Sequence, residues 1–246
     1  HLTVYPKVHE LPDFYVPPAE LAGEKQMKMR THDLTPHASS VREYAFGDSL
    51  SRVHWRSTAK LGKLMSKEFD LGFSSDVWIV VDFHRDVQAG ELEESTDEYA
   101  VSIAASLAHK YLGAQLPAGL MAYGDQRYML QAETGSGQFE RIMEFLAMSK
   151  AEGAVSLDEV LATEERLWGY HSSIVVITSS HRMEWVTALK QVTRRRVRVV
   201  VILLDGKSFG GIFDSTSVVP ELYYAGIPSY VVRQGDSIPV ALSRSY

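Results

Sequence analysis

The chain has 246 residues, a net charge of −6 and no cysteine. Hydrophobic residues make up 45% and charged residues 23%, enough apolar material for a sizeable core and too much for a disordered chain. The missing cysteines exclude disulfides and thiolate metal sites, and the mild acidity argues against a dedicated nucleic-acid binder.

Residues 2–8 alternate as an edge strand does, with Pro6 arguing against a central position. Residues 11–25 are punctuated by Pro12, Pro17, Pro18 and Gly23 and read as a loop. Residues 41–46 and 64–69 read as short extended segments flanking a polar connection. Together, residues 1–75 are expected to form a small β-rich subdomain.

From residue 76 the pattern changes. Residues 77–82 are an apolar run ending in Asp82, as expected of a strand covered on both faces. A long helix over 91–115 follows, with Ala100, Ile103, Ala104, Leu107 and Tyr111 at helical spacing and acidic residues in its first turns. Residues 118–123 and 127–131 read as a strand pair turned at Gly124-Asp125. Helices are expected around 139–146, 157–168, 185–192 and 218–225, and strands at 174–178, 197–204 and 229–233. Strands alternating with helices predict an α/β domain over 76–246, with a mostly parallel sheet flanked by helices.

No apolar run reaches the length of a membrane span. The chain starts at His1 without an initiator Met, so it is expected to be a piece of a longer protein. Arg194, Arg195, Arg196 and Arg198 read as a helix C-terminus leading into a strand. Asp205-Gly206-Lys207-Ser208 lacks the glycine-rich frame of a phosphate-binding loop, and no nucleophile elbow accompanies the histidines and serines.

The most specific segment is residues 41–68. It holds Arg42, Tyr44, Gly47, Asp48, Arg52, Trp55, Thr58, Ala59, Lys60, Gly62, Leu64, Lys67 and Glu68 in a fixed order. Gly47-Asp48 suits a turn, Trp55 suits an anchor, and Arg52, Arg56, Lys60 and Lys63 form a basic rim able to meet carboxylates or phosphates. These ordered residues resemble the signature of the domain-of-unknown-function-58 family. The rest of the chain resembles a von Willebrand factor A-like (Rossmann-type) domain, with Asp82 closing its first strand and residues 226–236 its last.

The resemblance implies a non-catalytic adaptor with no cofactor, acting with a MoxR-type AAA+ ATPase. Other von Willebrand factor A or transglutaminase-like membrane proteins are further implied partners, and nucleic acid is not. It also implies a bacterial or archaeal parent anchored by an N-terminal transmembrane hairpin, with this part on the cytoplasmic face. The expected binding set is Asp48, Arg52, Trp55, Arg56, Lys60 and Lys63.

Von Willebrand factor A domains often hold Mg²⁺ through a D-x-S-x-S motif after the first strand, with a distant Thr and Asp. Here the motif reads Asp82-Phe83-His84-Arg85-Asp86, and Ser179 stands where the later aspartate is expected. Imidazole is a poor Mg²⁺ ligand and Arg85 adds a cation, so the metal site is expected to be degenerate. Two other functions remain open: a metal-dependent ligand-binding module, and a hydrolase or nuclease that holds phosphate on the basic rim.

Overall fold

The computed structural model describes residues 4–14, 16, 40–43, 55–68, 76–169 and 172–243. For residues 40–43, 55–57 and 66–68 the description covers the backbone alone. The chain divides into two compact units, one of Leu21–Ser74 and one of His1–Glu20 with Ser75–Tyr246.

In the smaller unit, β1 (Ser40–Glu43) pairs antiparallel with β2 (Met65–Glu68), and α1 (Trp55–Leu61) lies between them in sequence. That helix replaces the connection expected to be merely polar. Two motif residues explain its end. Gly62 adopts φ 66°, where a side chain is strained, and the Thr58 hydroxyl accepts a hydrogen bond from the Met65 amide at 3.0 Å. Thr58 thus joins the helix to the strand that follows.

The larger unit is built on a six-stranded sheet. Its strands are β3 (Val77–Val81), β4 (Ala118–Tyr123), β5 (Arg127–Glu133), β6 (Ser173–Thr178), β7 (Arg198–Leu204) and β8 (Ser229–Val232), in the spatial order β5-β4-β3-β6-β7-β8. All neighbours run parallel except β4 and β5, which form an antiparallel edge pair. Every residue of β3 and β6 is buried, which accounts for their unbroken apolar runs.

Helices cover both faces. On one face lie α2 (Thr96–Gly113) and α3 (Ser136–Met148), packed on Ile79, Val81, Leu120, Val175 and Ile177. On the other lie α4 (Leu157–Glu164), α5 (Glu184–Arg194) and α6 (Val219–Tyr224), packed on Trp78, Val80, Val176 and Val201 around Trp168 and Trp185. Successive strand residues point to opposite faces, so β3 supplies both layers. The expected helix over 91–115 is split: a 3-10 turn at Leu92–Glu94 precedes α2. A final short helix, α7 (Ile238–Ala241), was not expected.

The N-terminal segment departs furthest from expectation. Residues 4–10 form no strand, and the segment belongs with the sheet unit rather than with the β-rich part. Leu11 and Phe14 are buried in the α2 core, and the Phe14 ring meets Tyr230 at 5.0 Å. The His9 amide donates to the Ser106 hydroxyl at 2.9 Å, and the Lys110 ammonium donates to the Leu11 carbonyl. Val8, Leu11 and Phe14 thus pack this segment on the core, while Val4 and Tyr5 stay exposed. Phe14→Ala is expected to destabilise the sheet unit by about 3–5 kcal/mol, read from urea unfolding, although it lies more than sixty residues before β3.

Candidate functional site at the carboxyl edge of the sheet

In a parallel sheet whose strand order reverses direction, the loops diverge at the carboxyl ends of the central strands. Here that point lies between β3 and β6. The first residue past β3 is Asp82, and its backbone amide donates to the Ile177 carbonyl at 2.9 Å, continuing the ladder. Its side chain is buried, and both carboxylate oxygens are engaged. Thr178 Oγ1 donates to Oδ2 at 2.6 Å, and the His84 amide donates to Oδ1 at 3.0 Å. Burial pushes the Asp82 carboxyl above its ordinary range. The Thr178 and His84 hydrogen bonds, with the nearby charge of Arg182, partly offset that rise.

His84 is also buried. Its Nδ1 accepts the Asp86 amide at 3.2 Å and so caps a 3-10 turn at Arg85–Val87. That bond requires a lone pair on Nδ1, which places the proton of the neutral ring on Nε2. The backbone around it is fixed by Gly153, whose amide donates to the Phe83 carbonyl at 2.8 Å while its carbonyl accepts from Arg85 at 3.0 Å. A side chain at Gly153 would lie 2.2 Å from the Tyr123 carbonyl oxygen, so only glycine permits this approach.

The same edge is knitted together further out. Gln88 Nε2 donates to the carbonyls of Asp82 and His84, and Gln88 Oε1 accepts from Thr96 at the start of α2. The buried Ser179 hydroxyl donates to the Val87 carbonyl at 2.6 Å. Asp86 is exposed, and its carboxylate lies 3.9 Å from the Arg182 guanidinium.

These positions do not fit a Mg²⁺ ion. Asp82 meets a hydroxyl and an amide, His84 presents a capped imidazole, Asp86 faces a guanidinium, and Ser179 is committed to a backbone carbonyl. Thr178, the last residue of β6, reaches Asp82, while the adjacent Ser179 turns to the Val87 carbonyl. Among the described residues, no group of three or more His, Asp or Glu side chains is arranged to hold a metal ion.

The loop from β7 to α6 adds what sequence reasoning missed. The Gly211 amide donates to the Gly206 carbonyl at 2.8 Å, and Phe209 is buried against Tyr99, ring centroids 4.9 Å apart. Ser215 Oγ accepts from the Gly206 amide and donates to the Ser179 carbonyl at 2.6 Å, joining this loop to the one after β6. A side chain on Gly211 would meet Ala89 Cβ at 2.9 Å. From this locked loop Ile212 projects 90% exposed and Phe213 52% exposed, with the His181 ring stacked on Phe213 at 3.9 Å. Two large apolar residues directly after a glycine pair in a loop were the available signal.

Of the motif residues, Asp48 and Arg52 lie outside the described residues, and Trp55 and Arg56 contribute backbone to α1. Lys60 and Lys63 are exposed, beside the exposed apolar residues Leu61 and Leu64.

A family model described as "Protein of unknown function DUF58" matches residues 40–208, more than half of the chain. The chain belongs to this family. It is 24% identical over 164 residues to the uncharacterized protein YeaD of Bacillus subtilis (strain 168), a match covering 67% of this chain and 39% of YeaD. The chain thus spans about two fifths of that relative's length. Among solved structures, the conserved hypothetical protein BatB from Bacteroides thetaiotaomicron superposes with a TM-score of 0.52 at 14% identity, covering 69% of this chain and 95% of BatB. The SpRpn10 VWA domain gives a TM-score of 0.45 at 12% identity, covering 68% and 93%. The fold of the DUF58 chain's larger unit is von Willebrand factor A-like.

A carboxylate whose folded-state pKa is raised binds protons more readily folded than unfolded, so its contribution to stability grows as pH falls and is lost as pH rises. Relative to Asp82→Asn, the DUF58 chain is therefore expected to gain stability from neutral pH down toward the ordinary carboxylate range, measured by denaturant unfolding across pH. Millimolar Mg²⁺ is expected to leave the Tm unchanged, since only a ligand of the folded state raises it.

Proposed function

We propose that this DUF58 chain is a non-catalytic interaction module that docks a partner on the carboxyl edge of its sheet. The observation that carries this reading is the exposure of Ile212 and Phe213 on a loop held by Gly206, Gly211 and Ser215. A rigid apolar projection loses little conformational freedom on binding, which is how a few residues come to dominate an interface. The polar groups beneath it support the same reading. Asp82, His84, Thr178 and Ser179 satisfy one another or the backbone, which favours a scaffold over a reaction centre.

The partner proposed is a MoxR-type AAA+ ATPase, in a parent protein anchored in the membrane with this chain on the cytoplasmic face. The signature resemblance supports that choice. A second docking surface is proposed at the basic motif (Asp48, Arg52, Trp55, Arg56, Lys60 and Lys63), favoured by the exposure of Lys60 beside Leu61 and Leu64.

Titration of the full-length protein against a MoxR-type AAA+ ATPase from the same organism tests both. Ile212→Asp combined with Phe213→Ser is expected to weaken association by about two orders of magnitude or more while leaving the Tm in place. Undiminished affinity in that variant overturns the carboxyl-edge reading. Undiminished affinity after Lys60→Glu overturns the motif surface, and no association of the wild type at micromolar concentrations overturns the choice of partner.

A further inference from the structure

The opposite edge of the sheet carries a different surface. Strands β6, β7 and β8 are parallel, so the segments entering them from α4, α5 and α6 all lie at the amino edge. Arg166 follows α4, and Arg194, Arg195 and Arg196 end α5, with all four exposed. The Arg195 guanidinium donates to the Glu165 carbonyl at 2.8 Å, which places the ends of α4 and α5 side by side. Lys190 pairs with Glu221 at 3.2 Å, which sets α5 beside α6. One turn beyond that contact, α6 ends in Tyr223 and Tyr224, 71% and 80% exposed.

Helix dipoles account for cations near the ends of α4 and α5. They do not account for two adjacent tyrosine rings left in solvent at the end of α6, on the same edge of the sheet. Glu165 faces Arg195 and Glu221 faces Lys190, and Arg166, Arg194 and Arg196 add further positive charge, so the helix ends are basic in a chain that is acidic as a whole. Guanidinium groups match phosphate oxygens in pairs, and tyrosine places an apolar ring and a polar hydroxyl at a boundary between hydrocarbon and water.

We propose that the amino edge, through Arg166, Arg194, Arg195, Tyr223 and Tyr224, binds the surface of an anionic lipid bilayer. The arginines meet headgroup phosphates and the tyrosines sit at headgroup depth.

The test is cosedimentation of the 246-residue chain with vesicles of phosphatidylcholine containing about one-third phosphatidylglycerol, against vesicles of phosphatidylcholine alone. The expected result is binding to the anionic vesicles only, falling as salt is raised. Arg166→Glu and Arg194→Glu are each expected to weaken partitioning on the order of tenfold. Tyr223→Ser with Tyr224→Ser is expected to remove the part that survives high salt. All four side chains are exposed, and an unchanged Tm verifies that the variants fold. Equal binding to both vesicle types, no binding at low salt, or binding unaffected by the arginine variants overturns the proposal. Preference for a single-stranded RNA oligonucleotide over the anionic vesicles, lost in the same variants, also overturns it and reassigns the patch to nucleic acid.

Discussion

A strand buried on both faces and paired on both edges leaves its neighbours little freedom. β3 is such a strand: Ile79 and Val81 face α2 and α3, Trp78 and Val80 face the opposite helices, and β4 and β6 flank it in parallel. Parallel pairing forces each return through a crossover, and the crossovers supply the helix layers that bury the strand. The same constraint gathers the chain reversals at two edges of differing chemistry. At one edge Asp82 and Thr178 close the ladder; at the other, arginines and tyrosines end the helices.

At the carboxyl edge, the positions that resemble a metal-binding motif are hydrogen-bonded to protein groups. A divalent ion needs oxygen ligands with free lone pairs. The hydrogens reaching Asp82 come instead from a hydroxyl and a backbone amide, and the imidazole of His84 serves to start a helical turn. Burial still weighs against the ionised form of Asp82, so the arrangement retains an electrostatic cost that hydrogen bonding reduces without cancelling. Outward, the edge offers two apolar residues, Ile212 and the Phe213 stacked with His181, as well as the exposed Asp86 and Arg182.

Much of the sheet unit was legible because period and burial agree. Residues 77–81, 174–177 and 199–204 are apolar without interruption, as expected of strands covered on both sides. Asp82 was singled out through the resemblance to a von Willebrand factor A metal motif, and it lies buried directly after β3. The N-terminal segment was not, since alternation over 2–8 is equally compatible with a chain lying against a helix. The Thr178 contact was missed because counting along a strand does not reveal which hydroxyl faces the neighbouring strand end. α1 was missed because Trp55–Leu61 is short and has little apolar periodicity, its stop depending on the φ of Gly62. The exposed pair at 212–213 escaped notice because attention to charge and metal chemistry passes over hydrophobic residues in loops.

The burial of Phe14 has a topological consequence. Because the chain is pinned to the sheet unit at Leu11 and Phe14 and returns to it at Val77, the Leu21–Ser74 unit is an insertion tethered at both ends. The closure entropy of such an excursion grows only logarithmically, by about 0.6 kcal/mol for each doubling of length. The host sheet therefore tolerates an insert of almost any size, so selection on the motif-bearing unit can proceed with little penalty to the fold that carries it.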